Sequence, residues 1–461
     1  MNKTINSRFF FLFLFAFTII YTVNAQQSTK EWQKYVPIIK KHIYAEYKGM
    51  FKEEGKVLVF PFITPGSDQY SDVLWDWDSW LTNVALRQIL ENNGSAKDKQ
   101  EALKYERGCI LNFIEQGGIN GWVPHMIKRD SPTRLARMEE LDAKKGGVFE
   151  SNMHKPCLAQ HAAFLVKQDH GDAEWLREKF YFLQAFVNAY QSHMKNRPTG
   201  LIFWADDAGI GVDNDPSTYY RPNKSSGSIF LNALFYKELL AMDYLATQLD
   251  LPEIAVAYRK DAAKLKESIM ENCWDQRDGF YYSVDLNLTN YKKPEIWWEL
   301  HGGNPRKYDC IIQRLDVWSG FLALWSGIAT KEQAERIVKE HYRDTTSFNA
   351  PYGIRTLSPL EKMYDVRATG NPSSWTGPIW GISNYMVFKG LVDYGYETEA
   401  REMAIKTVCL FGKDYEKNGA LHEYYLPENG QPVLNIGFQN WNYLVLNMIA
   451  YLEGTKRIEE F

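Results

Sequence analysis

Apolar positions recur at three- and four-residue steps along most of the chain. In residues 229–246, Leu231, Leu234, Phe235, Leu239, Met242 and Leu245 fall on one stripe, the spacing of an amphipathic helix. Similar patterns run through about 80–92, 101–116, 157–168, 174–194, 254–271, 316–328, 331–341, 382–394, 397–411 and 439–453. Convincing strand patterns are few. The helical segments are separated by loops at 117–156, 196–228, 277–310, 343–381 and 412–438, rich in Gly, Pro, Asn and Trp. Loops longer than ~15 residues are uncommon in compact domains, and those that carry aromatic and acidic residues point to function. No Pro/Gly/Ser-rich linker or charge block divides the chain, so one domain from about 27 to 461 is expected. Paired helices with long loops on one side would suit a closed ring of about six hairpins.

The N-terminus bears on compartment. Lys3 and Arg8 precede the apolar run FFFLFLFAFTII, and Val23-Asn24-Ala25 closes the stretch. This is the pattern of a secretory signal, residues 1–25, removed near Ala25; its apolar core is shorter than the ~20 residues a membrane span needs. The mature protein is expected to be exported, periplasmic or secreted, with no membrane attachment once the signal is gone.

Composition is that of an ordinary globular protein: 461 residues, 45% hydrophobic and 24% charged. The 53 basic and 57 acidic side chains leave no electrostatic footprint for nucleic acid or an anionic membrane. Aromatic content changes the picture, because 15 Trp, 28 Tyr and 25 Phe supply the flat, amphipathic surfaces a concave ligand site needs. Five cysteines, Cys109, Cys157, Cys273, Cys310 and Cys409, are far apart and form no CxxC pair. That spacing excludes a dense disulfide framework and a zinc site of closely spaced thiolates, leaving buried small hydrophobes as the simplest reading. No cofactor and no bound metal are expected, and the protein is expected to be a monomer or simple homo-oligomer.

Three stretches carry chemistry. In Val73-Leu74-Trp75-Asp76-Trp77-Asp78-Ser79-Trp80, Asp78 stands ahead of a helical run, where it either caps the first amides or accepts hydrogen bonds from sugar hydroxyls beside stacking indoles. Between two amphipathic segments, Asp206, Asp207, Asp213 and Asp215 fall within ten residues. Such a cluster suits Asx turns, a calcium ion or a proton-donating carboxyl, but lacks the regular ligand spacing of an EF-hand. In the third stretch Glu423 lies between His422 and the pair Tyr424-Tyr425, where burial and hydrogen bonding could hold a working carboxylate.

With those residues in view, Trp75 to Trp80 (WDWDSW), Gly211 to Pro216 (GVDNDP), the run from Asn371 to Tyr396 and His422 to Gly430 (HEYYLPENG) resemble inverting glycosidases of glycoside hydrolase family 63. Trehalases of family 37 are similar but more distant. The resemblance covers about 70 to 453. It departs at Asp215, where the family often has Ser, and at Lys155-Pro156-Cys157, where the family often has Pro-Pro. It implies an all-α fold, an (α/α)6 barrel with the active site among loops at one end. Asp213 matches the position of the general acid and Glu423 that of the general base, while Asp78 matches the carboxylate that holds the nonreducing sugar. Trp77, His125, Gln160 and Trp204 fall in motifs that line the pocket. So do Arg355, Trp375, Trp380 and Trp441.

Glycoside hydrolysis fits that assignment. One protonated carboxyl serves the leaving oxygen and one carboxylate activates water, about 6.5–9.5 Å apart when configuration inverts. Asp213 is expected to be the raised, protonated partner and Glu423 the ionised one, with the Asp206-Asp207 pair as rival for the acid. The leading expectation is an exported inverting α-glycosidase acting on a carbohydrate substrate, an α-glucosidase on small glucosides or oligosaccharides. A sugar epimerase on a related barrel would need histidine bases, for which His154, His161 and His422 are the candidates. A binding protein that has lost catalysis is the third reading.

Overall fold

The computed structural model describes residues 30–131, 148–288, 307–367 and 373–461. The expected leader at 1–25 and parts of the loops 117–156, 277–310 and 343–381 lie outside the described residues. Twelve helices are described, in chain order: 30–46 (α1), Asp76–Asn93 (α2), Ala96–Gln116 (α3), Leu158–Gln168 (α4), Phe180–His193 (α5) and Ile229–Gln248 (α6). Pro252–Cys273 (α7), Leu322–Trp325 (α8), Lys331–Arg336 (α9), Gly381–Asp393 (α10), Glu397–Asn418 (α11) and Val445–Glu453 (α12) complete them.

The even-numbered helices form an inner ring. Contacts link α2 to α4, α4 to α6, α6 to α8 and α8 to α10. From α10 they pass to the Asn440–Leu444 turn that leads into α12, and from that turn and α12 back to α2. These helices are buried over most of their surface; in α4 all of Leu158 to Val166 is enclosed, and in α10 all of Gly381 to Leu391. The odd-numbered helices lie outside and bury a single stripe. In α7 it is Ala255, Tyr258, Ala262, Leu265, Ile269 and Cys273, the one-sided pattern of a surface helix. This is the (α/α)6 ring that the sequence implied.

Local differences have local causes. Helix α1, absent from the pattern above, buries Trp32, Tyr35, Val36, Ile39 and Ile43 at helical spacing. The expected helix at 174–194 opens with a 3-10 stretch, Glu174–Lys179, and becomes α-helical where the apolar run from Phe180 begins to pack. The segment at 316–328 holds a 3-10 turn and only one α-turn, stopped by Gly327 at φ +74°. Helix α11 runs past 411 to Asn418, where Gly419 adopts the left-handed conformation that ends helices. Strands are only two or three residues long and pair as small ladders among the loops. All five cysteines are described and unpaired, and no described helix is long and apolar enough to cross a membrane.

The two ends of the ring differ. The N-terminal ends of the inner helices are joined to the long loops. At their C-terminal ends lies the segment after α12, where the Ile458 N–H donates to Gln88 Oε1 (2.7 Å) and Asn447 Nδ2 donates to the Ile458 carbonyl (2.6 Å). The Glu460 carboxylate there accepts from Trp325 Nε1 (2.7 Å) and the Tyr385 hydroxyl (2.6 Å).

Candidate active site

The strand Val73–Trp75 pairs antiparallel with Met126–Lys128, Trp75 opposite Met126, and runs straight into α2. Helix α2 therefore starts at Asp76, and Asp78 lies within its first turn instead of ahead of it. The residue that receives the first amide is Asp76, whose Oδ1 accepts the Trp77 N–H at 2.7 Å. Asp76 also accepts from the Lys155 backbone N–H (2.9 Å) and pairs with Lys155 Nζ (2.9 Å), both side chains buried. Asp78 is left to the space beyond, held by Asn440 Nδ2, while Asn440 Oδ1 accepts from Thr82 Oγ1 (2.8 Å). Asn440 holds a positive φ of +39°, an uncommon conformation that tends to collect at functional positions.

The loop bearing four Asp residues is sorted by its neighbours. Asn152 Nδ2 donates to Asp206 Oδ1 (2.8 Å) and the Ala208 carbonyl (2.8 Å), which fixes Asp206 away from the site. Asp215 Oδ1 accepts the Ser217 N–H (2.8 Å) in an Asx turn, and Asn214 Oδ1 accepts the Trp375 N–H. Gly209 and Gly211 take positive φ values of +68° and +85°. A Cβ on Gly209 would stand 3.0 Å from His125 Cε1, and one on Gly211 2.8 Å from Lys155 Cε, so only glycine lets the loop lie this close. The closely packed loop presents Asp213.

Glu423 comes from a different loop. It precedes the strand Tyr424–Tyr425, which pairs with Ile379–Trp380, Trp380 opposite Tyr424. Its carboxylate accepts from Asn435 Nδ2 (2.7 Å) and from the Tyr70 hydroxyl (3.3 Å). Indoles surround these groups: Trp375 stacks on Trp380 at 4.2 Å, and Trp77 meets Trp441 edge to face at 4.9 Å between ring centres.

A cavity of about 220 Å³ results, lined by Asp78, Asp213 and Glu423, by Tyr70, His125 and Lys155, and by Trp75, Trp77, Trp380 and Trp441. It lies at the N-terminal ends of the inner helices, where backbone dipoles favour negative charge. Burial still dominates: it pushes Asp78 up to about 8, the neighbouring Asp76 charge adding to the rise. Burial pushes Glu423 up to about 7, against the pull of Asn435 and Tyr70 and with a push from Asp213. Glu423, expected as the ionised partner, is thus raised toward neutrality while remaining able to accept a proton. His125 is pushed down to about 4, first by burial and then by the Lys155 charge, which leaves it neutral.

Of the remaining expected pocket residues, four are placed elsewhere. Gln160 is fully enclosed between α4 and α6, its amide donating to the carbonyls of Pro156 (2.7 Å) and Leu234 (3.0 Å). Trp204 stands behind Phe230, which itself packs against Trp77. Trp375 is one ring behind Trp380. Arg355 lines a neighbouring cavity of about 360 Å³ and pairs with Glu428 at 3.1 Å. The rival acids Asp206 and Asp207 do not line the site. Neither do the histidines of the epimerase reading: His154 Nδ1 meets the Lys155 carbonyl, His161 is buried in α4, and His422 is held by Asp414. The sequence reading gave no role to Tyr70, Lys155, Asn435 and Asn440; the partners of Tyr70, Lys155 and Asn440 are 353, 79 and 362 positions away in the chain.

A family model described as the mannosylglycerate hydrolase MGH1-like glycoside hydrolase domain matches residues 71–442. The chain belongs to this family. It is a glycoside hydrolase of GH63 type. Mannosylglycerate hydrolase MGH1 of Selaginella moellendorffii is 32% identical over 399 residues, covering 77% of this chain and 76% of that protein. Mannosylglycerate hydrolase of Thermus thermophilus is 27% identical over 430 residues, covering 80% and 92%. Cytosolic neutral trehalase of Kluyveromyces lactis is 28% identical over 253 residues, and the chain spans only 30% of that relative's length. Among solved structures, a GH63 mannosylglycerate hydrolase from Thermus thermophilus in complex with glucose superposes with a TM-score of 0.60 at 20% identity. That superposition covers 90% of this chain and 98% of that one, and it shows the shared fold.

Proposed function

We propose that the protein hydrolyses small α-glycosides with inversion, using Asp213 as general acid and Glu423 as general base. One observation carries this reading: two carboxyl groups far apart in the sequence line one small, indole-walled cavity. The reaction passes through an oxocarbenium-like state. Asp213 gives its proton to the glycosidic oxygen, the C1–O bond breaks, and the leaving alcohol departs neutral. Glu423, oriented by Tyr70 and Asn435, takes a proton from the water that attacks C1 from the other face. Asp78 holds the hydroxyls of the nonreducing sugar. The cavity is smaller than the roughly 300–1,000 Å³ of drug-sized sites, which suits one hexose ring.

The family resemblance favours α-glucosides, and the names of the relatives add mannosylglycerate and trehalose. The test is a panel of nitrophenyl α-hexosides, mannosylglycerate, kojibiose, nigerose and trehalose, with the released hexose followed by proton NMR. The β-anomer should appear first. Initial release of the α-anomer would overturn inversion, and no hydrolysis across the panel would overturn the reading itself. We propose also that the protein is exported, on the support of Lys3, Arg8 and the apolar run that follows. The purified mature chain should then begin after Ala25, whereas a soluble chain retaining Met1 would contradict export.

A further inference from the structure

The glycosidase reading gives roles to the cavity's three carboxyl groups but none to the cation in its wall. Lys155 is only 1% exposed. Its Nζ pairs with Asp76 at 2.9 Å and lies 3.4 Å from the Gly209 carbonyl. Among the described residues that line the cavity, it is the single lysine or arginine. Withdrawing both members of an ion pair from water is unfavourable, and an apolar pair of similar volume would fill the same space without that penalty. The pair is thus poorly explained as a packing device.

Its geometry suits another task. An ammonium group has three donors and no acceptor. The Asp76 carboxylate engages it from one side, the Gly209 carbonyl stands at the far limit of a hydrogen bond, and the Nζ has donor capacity for the cavity. Asp78, two residues from Asp76 on the same helical turn, supplies the complementary acceptor and is close enough for the Lys155 charge to favour its ionised form. Lys155 and Asp78 line the same cavity, and a donor and an acceptor there match two adjacent sugar hydroxyls, each of which can both give and take a hydrogen bond.

We propose that Lys155 is a substrate-recognising residue of the enclosed subsite. It donates to one hydroxyl of a vicinal pair whose neighbour donates to Asp78, and it thereby sets which hexopyranosides are accepted. Asp76 is a positioning residue that holds the ammonium group. The proposal rests on the glycosidase reading, and it names the substrate class as hexopyranosides with an unmodified vicinal diol.

The test pairs Lys155 variants with monodeoxy nitrophenyl α-hexosides. In the wild-type enzyme, one deoxy position should lower kcat/KM by at least ~100-fold, because a site built to bond a hydroxyl rejects the analogue that lacks it. Lys155→Met should lose a similar factor on the parent hexoside and almost nothing further on that one deoxy substrate, the non-additivity of two groups in contact. Lys155→Gln, which keeps a donor, should fall between. A general loss of packing would multiply with every deoxy penalty alike, and that outcome overturns the proposal, as does a Lys155→Met enzyme within threefold of wild type on the parent. Should Lys155→Met fail to fold, the double variant Asp76→Asn/Lys155→Met removes both charges and is put through the same scan. If the wild-type protein hydrolyses no α-hexoside, the glycosidase reading has failed separately. Calorimetric binding of glucose, mannose and their monodeoxy forms then decides the proposal, with one selectively lost affinity supporting it and uniform affinities overturning it.

Discussion

Glu460, at the C-terminal end of the ring, and Asp78, at the loop end, are 6% and 7% exposed, yet they titrate in opposite directions. Burial opposes the charge of both. At Glu460 the Lys389 ammonium outweighs it, helped by the Tyr385 hydroxyl and by Lys237, so the carboxyl is held below its ordinary value. At Asp78 burial is joined by the charge of another carboxylate, Asp76, and the pull of Lys155 and of the Asn440 hydrogen bond does not offset them, so the carboxyl rises to about 8. The same contrast appears within two residues of sequence, since Asp76 is lowered by Lys155 against its burial. A buried acid that is matched belongs to the scaffold. One left unmatched in a cavity is a site for something else to bind or react.

The strongest way to break this contrast is at the matched end. Glu460→Ala leaves two buried donors, Trp325 Nε1 and the Tyr385 hydroxyl, without their acceptor and removes a charge that Lys389 feels; it should destabilise the protein by about 2–5 kcal/mol while leaving KM unchanged. Thermal unfolding checks it, and an unaltered melting temperature would remove the scaffold role.

Asp78→Asn should act in the other direction. A carboxyl raised from 3.8 to about 8 retains its proton in the folded state where the unfolded chain has lost it. Its ionisation therefore erodes stability progressively as pH climbs from about 4 to about 8. The amide variant should be more stable than wild type at pH 8, by an amount on the order of 1–3 kcal/mol, and the gain should vanish near pH 4. The same substitution should lower kcat/KM by at least ~100-fold. Melting curves at pH 4, 6 and 8 measure the first effect; a gain independent of pH would mean that Asp78 is not the titrating group.

The smallest effect is expected at Glu428, whose partner Arg355 lines the neighbouring cavity and whose own side chain is 58% exposed. Glu428→Gln should change stability by less than ~1 kcal/mol, as for other exposed ion pairs. A larger loss would give that loop a structural role like that of Glu460.

Much of this molecule was legible before its coordinates. The inner and outer helices announce themselves because each must bury an apolar stripe, although α1 escaped notice despite Trp32, Tyr35, Val36, Ile39 and Ile43. Asp78 and Glu423 stood out as acids set among indoles and tyrosines, whereas Asp213 was singled out from its loop of four Asp by the family resemblance alone. The supporting groups did not. Tyr70 reaches Glu423 across 353 positions, and Asn440 reaches Asp78 across 362, so no local pattern joins them. Gln160 was placed in the pocket on motif grounds, but its amide nitrogen donates to the Pro156 and Leu234 carbonyls inside the helix packing. Titration was the least legible feature, since the rise of Glu423 comes first from burial, which only the assembled cavity supplies.

The most direct test of the account is the turnover of Asp213→Asn and Glu423→Gln on the best α-glycoside, with melting temperature recorded alongside. Each variant should melt like a folded protein and lose at least ~100-fold in kcat, the scale of a missing general acid or base. A folded variant of either kind that turns over within tenfold of wild type would contradict the assignment.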